Sequence, residues 1–329
     1  MSTRALIGTS AVAAALYPWL LEGFHWAVTT PSAEVPLSGS AVALAALLLI
    51  AAFLVPLTAL LLASAPATEV RARRFALLTV AAPTLYVFFG VLTYMAGVSL
   101  PDPWLWTPAW LLLGLLAARR PESTSRPSRP SSAGLRVAHG IAGVIALLYV
   151  LFHLFNHLAG LLGPEVHKYV MDIGRQVYRA KAIEPLLVLV MLFQIGSGLR
   201  LAWTWSERTV DRYRVFQVAS GVFMAVFILG HMNSVFIFAR TFLGIPTDWA
   251  FAAGLPTGLI HDPWNIRLLP HYALGVFFVL AHLFSGLRVV LLAHGTGVSS
   301  ANRIWWSGAV LSALVSLAIM LGMCGWRVG

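Results

Sequence analysis

The sequence predicts an all-α integral membrane protein with about nine transmembrane helices, the last five forming a bundle. Three observations predict the membrane class. Of 329 residues, 59% are hydrophobic and 10% charged. Apolar runs repeatedly reach the ~20 residues that cross a bilayer. Gly, Pro and Arg punctuate the chain between those runs. The spans fall near residues 5–22, 41–63, 75–98, 104–118, 137–161, 183–203, 215–239, 269–293 and 304–323. The first, Arg4 followed by "ALIGTSAVAAALYPWLL", also has the make-up of a cleaved secretory signal, although Glu22 and His25 follow without a small-residue cleavage pattern. Trp104, Trp106, Trp110, Trp305 and Trp306 read as interfacial belt residues.

The formal charge of +10 would suggest nucleic acid in a soluble protein, but no basic patch stands apart from the helix ends. We therefore expect no nucleic-acid partner. The basic residues serve instead as topology signals. With the N-terminus cytoplasmic, fifteen Lys and Arg fall on the cytoplasmic side and seven on the other, which predicts an outer C-terminus; the expected location is a bacterial inner membrane. The single cysteine, Cys324, excludes within this chain an internal disulfide, a cysteine-ligated iron–sulfur cluster and a CxxCH haem attachment.

Residues 119–136, "RRPESTSRPSRPSSAGLR", have the composition of a solvated linker. It divides a four-helix region, 1–118, from a five-helix region, 137–329. On the outer side, "GPEVHKYVMDIGRQVYRAKAIEP" (163–185) is expected to form an interfacial helix. "GIPTDWAFAAGLPTGLIHDPWNIR" (244–267) reads as an ordered loop at the membrane face.

Within the stretch "VFILGHMNSVFIFAR", His231 sits where a bilayer needs only hydrocarbon. A weak repeat sets it in context. His139, Gly143 and His153 in the fifth span match Gln217, Gly221 and His231 in the seventh, at relative positions 0, 4 and 14. Fourteen residues rise about 21 Å, so His153 and His231 are expected at similar depth in the outer half of the bilayer. The sixth and eighth spans carry "QIGSGLR" and "HLFSGLR", matching Gln194 with His282 and Gly198 with Gly286. Each glycine lies one turn beyond its partner and leaves room for a flat macrocycle. Two imidazoles from different helices can clamp a porphyrin in an apolar bundle. A single intramembrane histidine can equally serve an interhelical hydrogen bond or a polar cavity. His157, one turn beyond His153, is an alternate ligand.

These residues carry a family resemblance. Over 137–323 the chain resembles the five-helix cytochrome b membrane anchor of succinate:quinone oxidoreductases, the succinate dehydrogenase and fumarate reductase group. The features are the histidine in the outer half of an outward first helix, Gln217, Ser220 and Gly221 before His231, the histidine-to-glycine spacing of "HLFSG", and the Tyr-containing crossover at 163–185. The resemblance implies haem b held by His153 and His231 at a distal site, with His282 and Gln194 at the proximal one. Glutamine is a poor substitute for imidazole on iron, so one haem is expected. It also implies a membrane quinone as substrate and flavoprotein and iron–sulfur subunits on the cytoplasmic side. Dicarboxylate chemistry would then belong to those partners, and the chain would be a non-catalytic electron-transfer subunit. His271 and Glu184 are candidates for a quinone or proton path, beside plainer readings as interfacial or ion-paired residues. Arg200 and Arg288 suit haem propionates or topology anchoring. The first four spans lie outside the resemblance. The alternative is a haem-free transporter or sensor with a histidine-lined polar path.

Overall fold

The computed structural model describes residues 2–29, 37–65, 68–119, 132–208 and 211–328, and within them every regular element is helical. The first helix, α1 (Thr3–Val28), is capped by Ser2, whose hydroxyl accepts from the Ala5 N–H. Ser38 caps α2 (Gly39–Ser64) in the same way. Far from being peripheral, α1 supplies Ile7, Ala14, Tyr17 and Leu21 to the core.

The span expected at 75–98 is two helices, α3 (Val70–Val80) and α4 (Ala82–Met95), bent by 62°. Pro83, in the first turn of α4, has no N–H to continue the ladder into α3, and the axis breaks there. Next, α5 (Asp102–Arg119) runs antiparallel to α1. Trp106 Nε1 donates to the Ala14 carbonyl at 2.7 Å and Thr107 Oγ1 to that of Ala15 at 3.0 Å. Those bonds correct the aromatic-belt expectation. Trp106, Trp110 and Trp305 are core residues, while Trp104 and Trp306 remain exposed. An indole buried with a partner for its N–H costs little, and Trp106 and Trp305 each have one, in the Ala14 carbonyl and the Ser285 hydroxyl.

The second half comprises α6 (Ala133–Ala159), α7 (Pro164–Tyr178), α8 (Ile183–Ser206), α9 (Arg212–Met232), α10 (Trp249–Ala253), α11 (Gly258–His261), α12 (Leu268–Ala293) and α13 (Val298–Met323). α9 runs directly into a π-helix, Asn233–Leu243. The expected interfacial helix is α7, and the expected ordered loop holds α10 and α11. Most of the expected linker, 120–131, lies outside the described residues. Its end does not: Ser132 caps α6 by accepting from the Leu135 N–H, so the helix starts inside the segment assigned to the linker.

Among the described residues seven helices are long and apolar enough to cross a membrane: α1, α2, α6, α8, α9 with its π-helix, α12 and α13. Taken as one bent span, α3 and α4 make an eighth. The ninth expected span, α5, is 18 residues long and less apolar, with charges at both ends. This is the pattern of an integral membrane protein.

Five helices close a ring: α6 packs on α8, α8 on α9, α9 on α12, α12 on α13, and α13 back on α6, with packing across the ring slight. The N-terminal helices sit mainly against one member of that ring, since α2, α3 and α4 all pack on α9, while α3 also touches α8 and α4 touches α12. Gly230 of α9 admits the Phe88 ring of α4.

Polar clamps tie the two halves at opposite faces. At the arginine-rich face, Arg73 donates to the carbonyls of Ser206 and Arg208, and Arg74 pairs with Glu207 at 2.6 Å while stacking on Trp203. At the other face, Arg267 and Asp102 form a buried ion pair at 2.5 Å. Thr93 donates to the second Asp102 oxygen, and the guanidinium lies over Tyr86.

Candidate functional site

The ring interior gathers the histidines that the sequence singled out. α6 contributes His153 and α9 contributes His231. Although these helices are not neighbours in the ring, the two imidazole centroids stand 5.9 Å apart with their planes at 71°. Tyr149, one turn before His153, stacks on it at 5.6 Å. Phe227 stacks on His231 at 5.7 Å, almost parallel. Both histidines are half-buried, and neither ring hydrogen-bonds to any described residue.

That spacing can be tested against haem. A metal–nitrogen bond of about 2 Å on each side, plus about 1 Å from nitrogen to ring centre, places two axial imidazoles about 6 Å apart. The pair fits. Among the described residues no group of three or more His, Cys, Asp or Glu is placed to hold a metal ion. A tetrapyrrole brings four nitrogens of its own, so two imidazoles are all it asks of the chain.

His157 follows His153 with its ring edge-on at 4.8 Å. On its other side it meets His167 of α7 at 5.4 Å, and Trp249 of α10 closes on His167 at 4.8 Å. Asn156 shares a 3.1 Å hydrogen bond with His167 Nε2. His167 carries no role in the histidine repeat or the resemblance. A signal was present: with Met171 and Gly174 it forms the buried face of α7, at helical spacing. Burial pushes the His167 imidazole down to about 4; Arg175 adds to the shift and Asp248 opposes it. At neutral pH it is uncharged.

In the arginine-rich half, Gln194 and His282, the matched residues of the second repeat, each make a hydrogen bond of their own. Gln194 Nε2 donates to the backbone carbonyl of His139 at 2.8 Å. His282 Nδ1 meets Ser220 Oγ at 2.9 Å, and His139 Nδ1 meets Ser197 Oγ at 2.7 Å. Each imidazole is thus held through one nitrogen by a serine from the adjacent helix, the kind of contact that orients a histidine ligand. His139 entered the sequence analysis only as a member of the repeat. Gly198 faces the His139 ring edge, and a Cβ there would lie 3.4 Å from it; Gly221 stands likewise to His282 at 3.2 Å. Gly286 has nothing within 4 Å of a Cβ position.

His271 is buried on α12, with Phe227 at 4.6 Å between it and His231. Glu184 accepts from Arg240 at 2.7 Å, which is the ion-paired arrangement. Arg200 is exposed, whereas Arg288 is buried, donating through Nε to Asn302 Oδ1 and lying over the Tyr213 ring. Comparison of the chain with protein-family models, with curated proteins and with solved structures finds no match.

Proposed function

We propose that the five-helix ring is a cytochrome b-like membrane anchor, in which His153 and His231 hold one haem b as axial ligands. The observation that carries this is the 5.9 Å approach of two imidazoles from α6 and α9, helices that otherwise barely pack on each other. Bound there, haem supplies a one-electron redox centre between a membrane quinone and a peripheral flavin and iron–sulfur partner on the cytoplasmic side. The chain's own part is positional. Tyr149 stacks on His153 and Phe227 on His231, and both would hold the imidazoles that bind the group, whose ligation by two histidines would favour electron transfer over oxygen chemistry. His271, behind Phe227, and Glu184, paired with Arg240, remain the candidates for a quinone or proton path in this reading. Gln194 has its amide donor committed to the His139 carbonyl, which favours one haem over two. In this reading α5 is a ninth crossing, the N-terminus is cytoplasmic, the C-terminus lies outside, and the membrane is a bacterial inner membrane.

Expression with ample haem and purification in detergent should give one low-spin b-type haem per chain, reducible by a quinol. A colourless protein that forms no six-coordinate spectrum with added hemin ends this reading. It would leave a haem-free transporter or sensor. The observation favouring that second reading is the unbroken imidazole row from His231 through His153 and His157 to His167.

A further inference from the structure

At the arginine-rich face, the first turn of α9 and the last turns of α12 enclose a cavity of about 200 Å³. Its lining includes Asp211, Tyr213, Arg214, Gln217, Ser285 and Arg288. Arg288 is only 9% exposed. Its Nε is held by the Asn302 amide oxygen and its face by Tyr213, both uncharged. Arg214 stacks on Trp205 and donates to Gln217 Oε1. Among the described residues neither guanidinium forms an ion pair, and around Arg214 the one negative charge, Asp211, is set against the positive charges of Arg288 and Arg136.

A guanidinium taken out of water without a carboxylate at ion-pair distance carries a desolvation cost, which an anion would offset. The one carboxylate present, Asp211, accepts the backbone N–H of Arg214 as the α9 cap. Ser285 is also committed, donating to the Ala281 carbonyl and accepting from Trp305. The unused donors in the cavity are the terminal nitrogens of Arg288, those Arg214 does not give to Gln217, and the Gln217 amide. Two guanidinium forks and an amide suit a tetrahedral oxyanion better than a planar carboxylate, and the N-terminal dipole of α9 adds to the attraction. The volume is below the range of sites for whole small molecules. It suits a headgroup. A basic pocket between helix ends at the bilayer surface is also where an anionic lipid reaches protein.

We propose that this cavity binds the phosphate of an anionic phospholipid from the leaflet at the arginine-rich face. This stands apart from the haem reading. The test uses the full chain in nanodiscs of phosphatidylcholine alone or with phosphatidylglycerol, and in detergent with or without inorganic phosphate. Thermal unfolding, retained lipid by native mass spectrometry and haem content are read for the parent, Arg288→Gln, Arg214→Gln, and Arg303→Gln as an exposed control. Phosphatidylglycerol should raise the parent Tm by ~2–4 °C over phosphatidylcholine, with one anionic lipid retained. Both pocket variants should lose the shift and the lipid, while Arg303→Gln keeps them. Protection by inorganic phosphate in the parent alone would identify the same oxyanion chemistry without the lipid and overturn the lipid as its source. An equal phosphatidylglycerol shift in parent and pocket variants overturns the site. So does loss of haem in the pocket variants with lipid response intact, since the guanidiniums would then serve propionates. If Arg288→Gln does not fold, Arg214→Gln gives the same reading alone.

Discussion

At the scale of the residue, His231 and Gln194 occupy opposed environments. His231 stands 5.9 Å from His153 with no hydrogen bond to a described residue, while Gln194 gives its amide to a backbone carbonyl. Replacing His231 with Ala should therefore abolish the six-coordinate low-spin spectrum. Replacing Gln194 with Ala should leave that spectrum intact and cost about 1 kcal/mol, the worth of one neutral hydrogen bond. Haem content and reduced spectra of both variants are the measurement; loss of the low-spin signal in the Gln194 variant alone would mean the wrong pair has been chosen. The His153–His231 pairing was legible because equal offsets along two parallel helices impose equal depth. The partners of Gln194 and His282 were not. A linear spacing places residues along a helix but does not say which neighbouring helix a side chain turns toward. Here His282 turns to Ser220 and Gln194 to the His139 carbonyl, and neither a small hydroxyl nor a backbone oxygen stands out in a linear sequence.

At the scale of the element, the passage from α9 into the π-helix lies directly after His231. π-helical turns are often found at functional sites because they re-aim side chains within a continuous span. Here Asn233, buried, begins the wider turn. One residue before His231, Gly230 lets α4 approach: a Cβ there would come to 3.2 Å from Phe88. Leucine at 230 should overpack this seam by about 1–3 kcal/mol and displace the turn that carries His231. The expected result is a lowered Tm together with a broadened or partly high-spin haem spectrum. Alanine at 230 should show the same signs more weakly, and an unchanged spectrum in the leucine variant would show that the seam does not set the histidine. The helical spans themselves were legible to within a few residues, since twenty apolar residues admit little else in a bilayer. The break between α3 and α4 was announced by Pro83 but masked by unbroken hydropathy. The buried tryptophans were misread because an indole N–H aimed at a carbonyl of α1 depends on tertiary placement.

At the scale of the whole molecule, the division at the Pro/Ser/Arg-rich segment marks a change in composition, while the helices on either side of it pack together. α2, α3 and α4 lie against α9, and clamps at opposite faces fasten the two halves, through Arg73 and Arg74 at one and Arg267–Asp102 at the other. Such contacts join residues more than a hundred positions apart, which no local pattern reveals. The N-terminal helices thus brace the helix that carries His231. It follows that cutting the chain between 120 and 131, with a protease site inserted there, should not separate the halves. The two fragments should co-purify in mild detergent and keep the parent's haem spectrum. Asp102→Asn should weaken that association, because Arg267 would be left buried opposite an uncharged amide; losing one partner of a buried pair costs about 3–5 kcal/mol. The measurement is the temperature at which the cut protein comes apart, with and without the substitution. Fragments that part on cleavage alone would show that the linker, and not the packing on α9, holds the protein together.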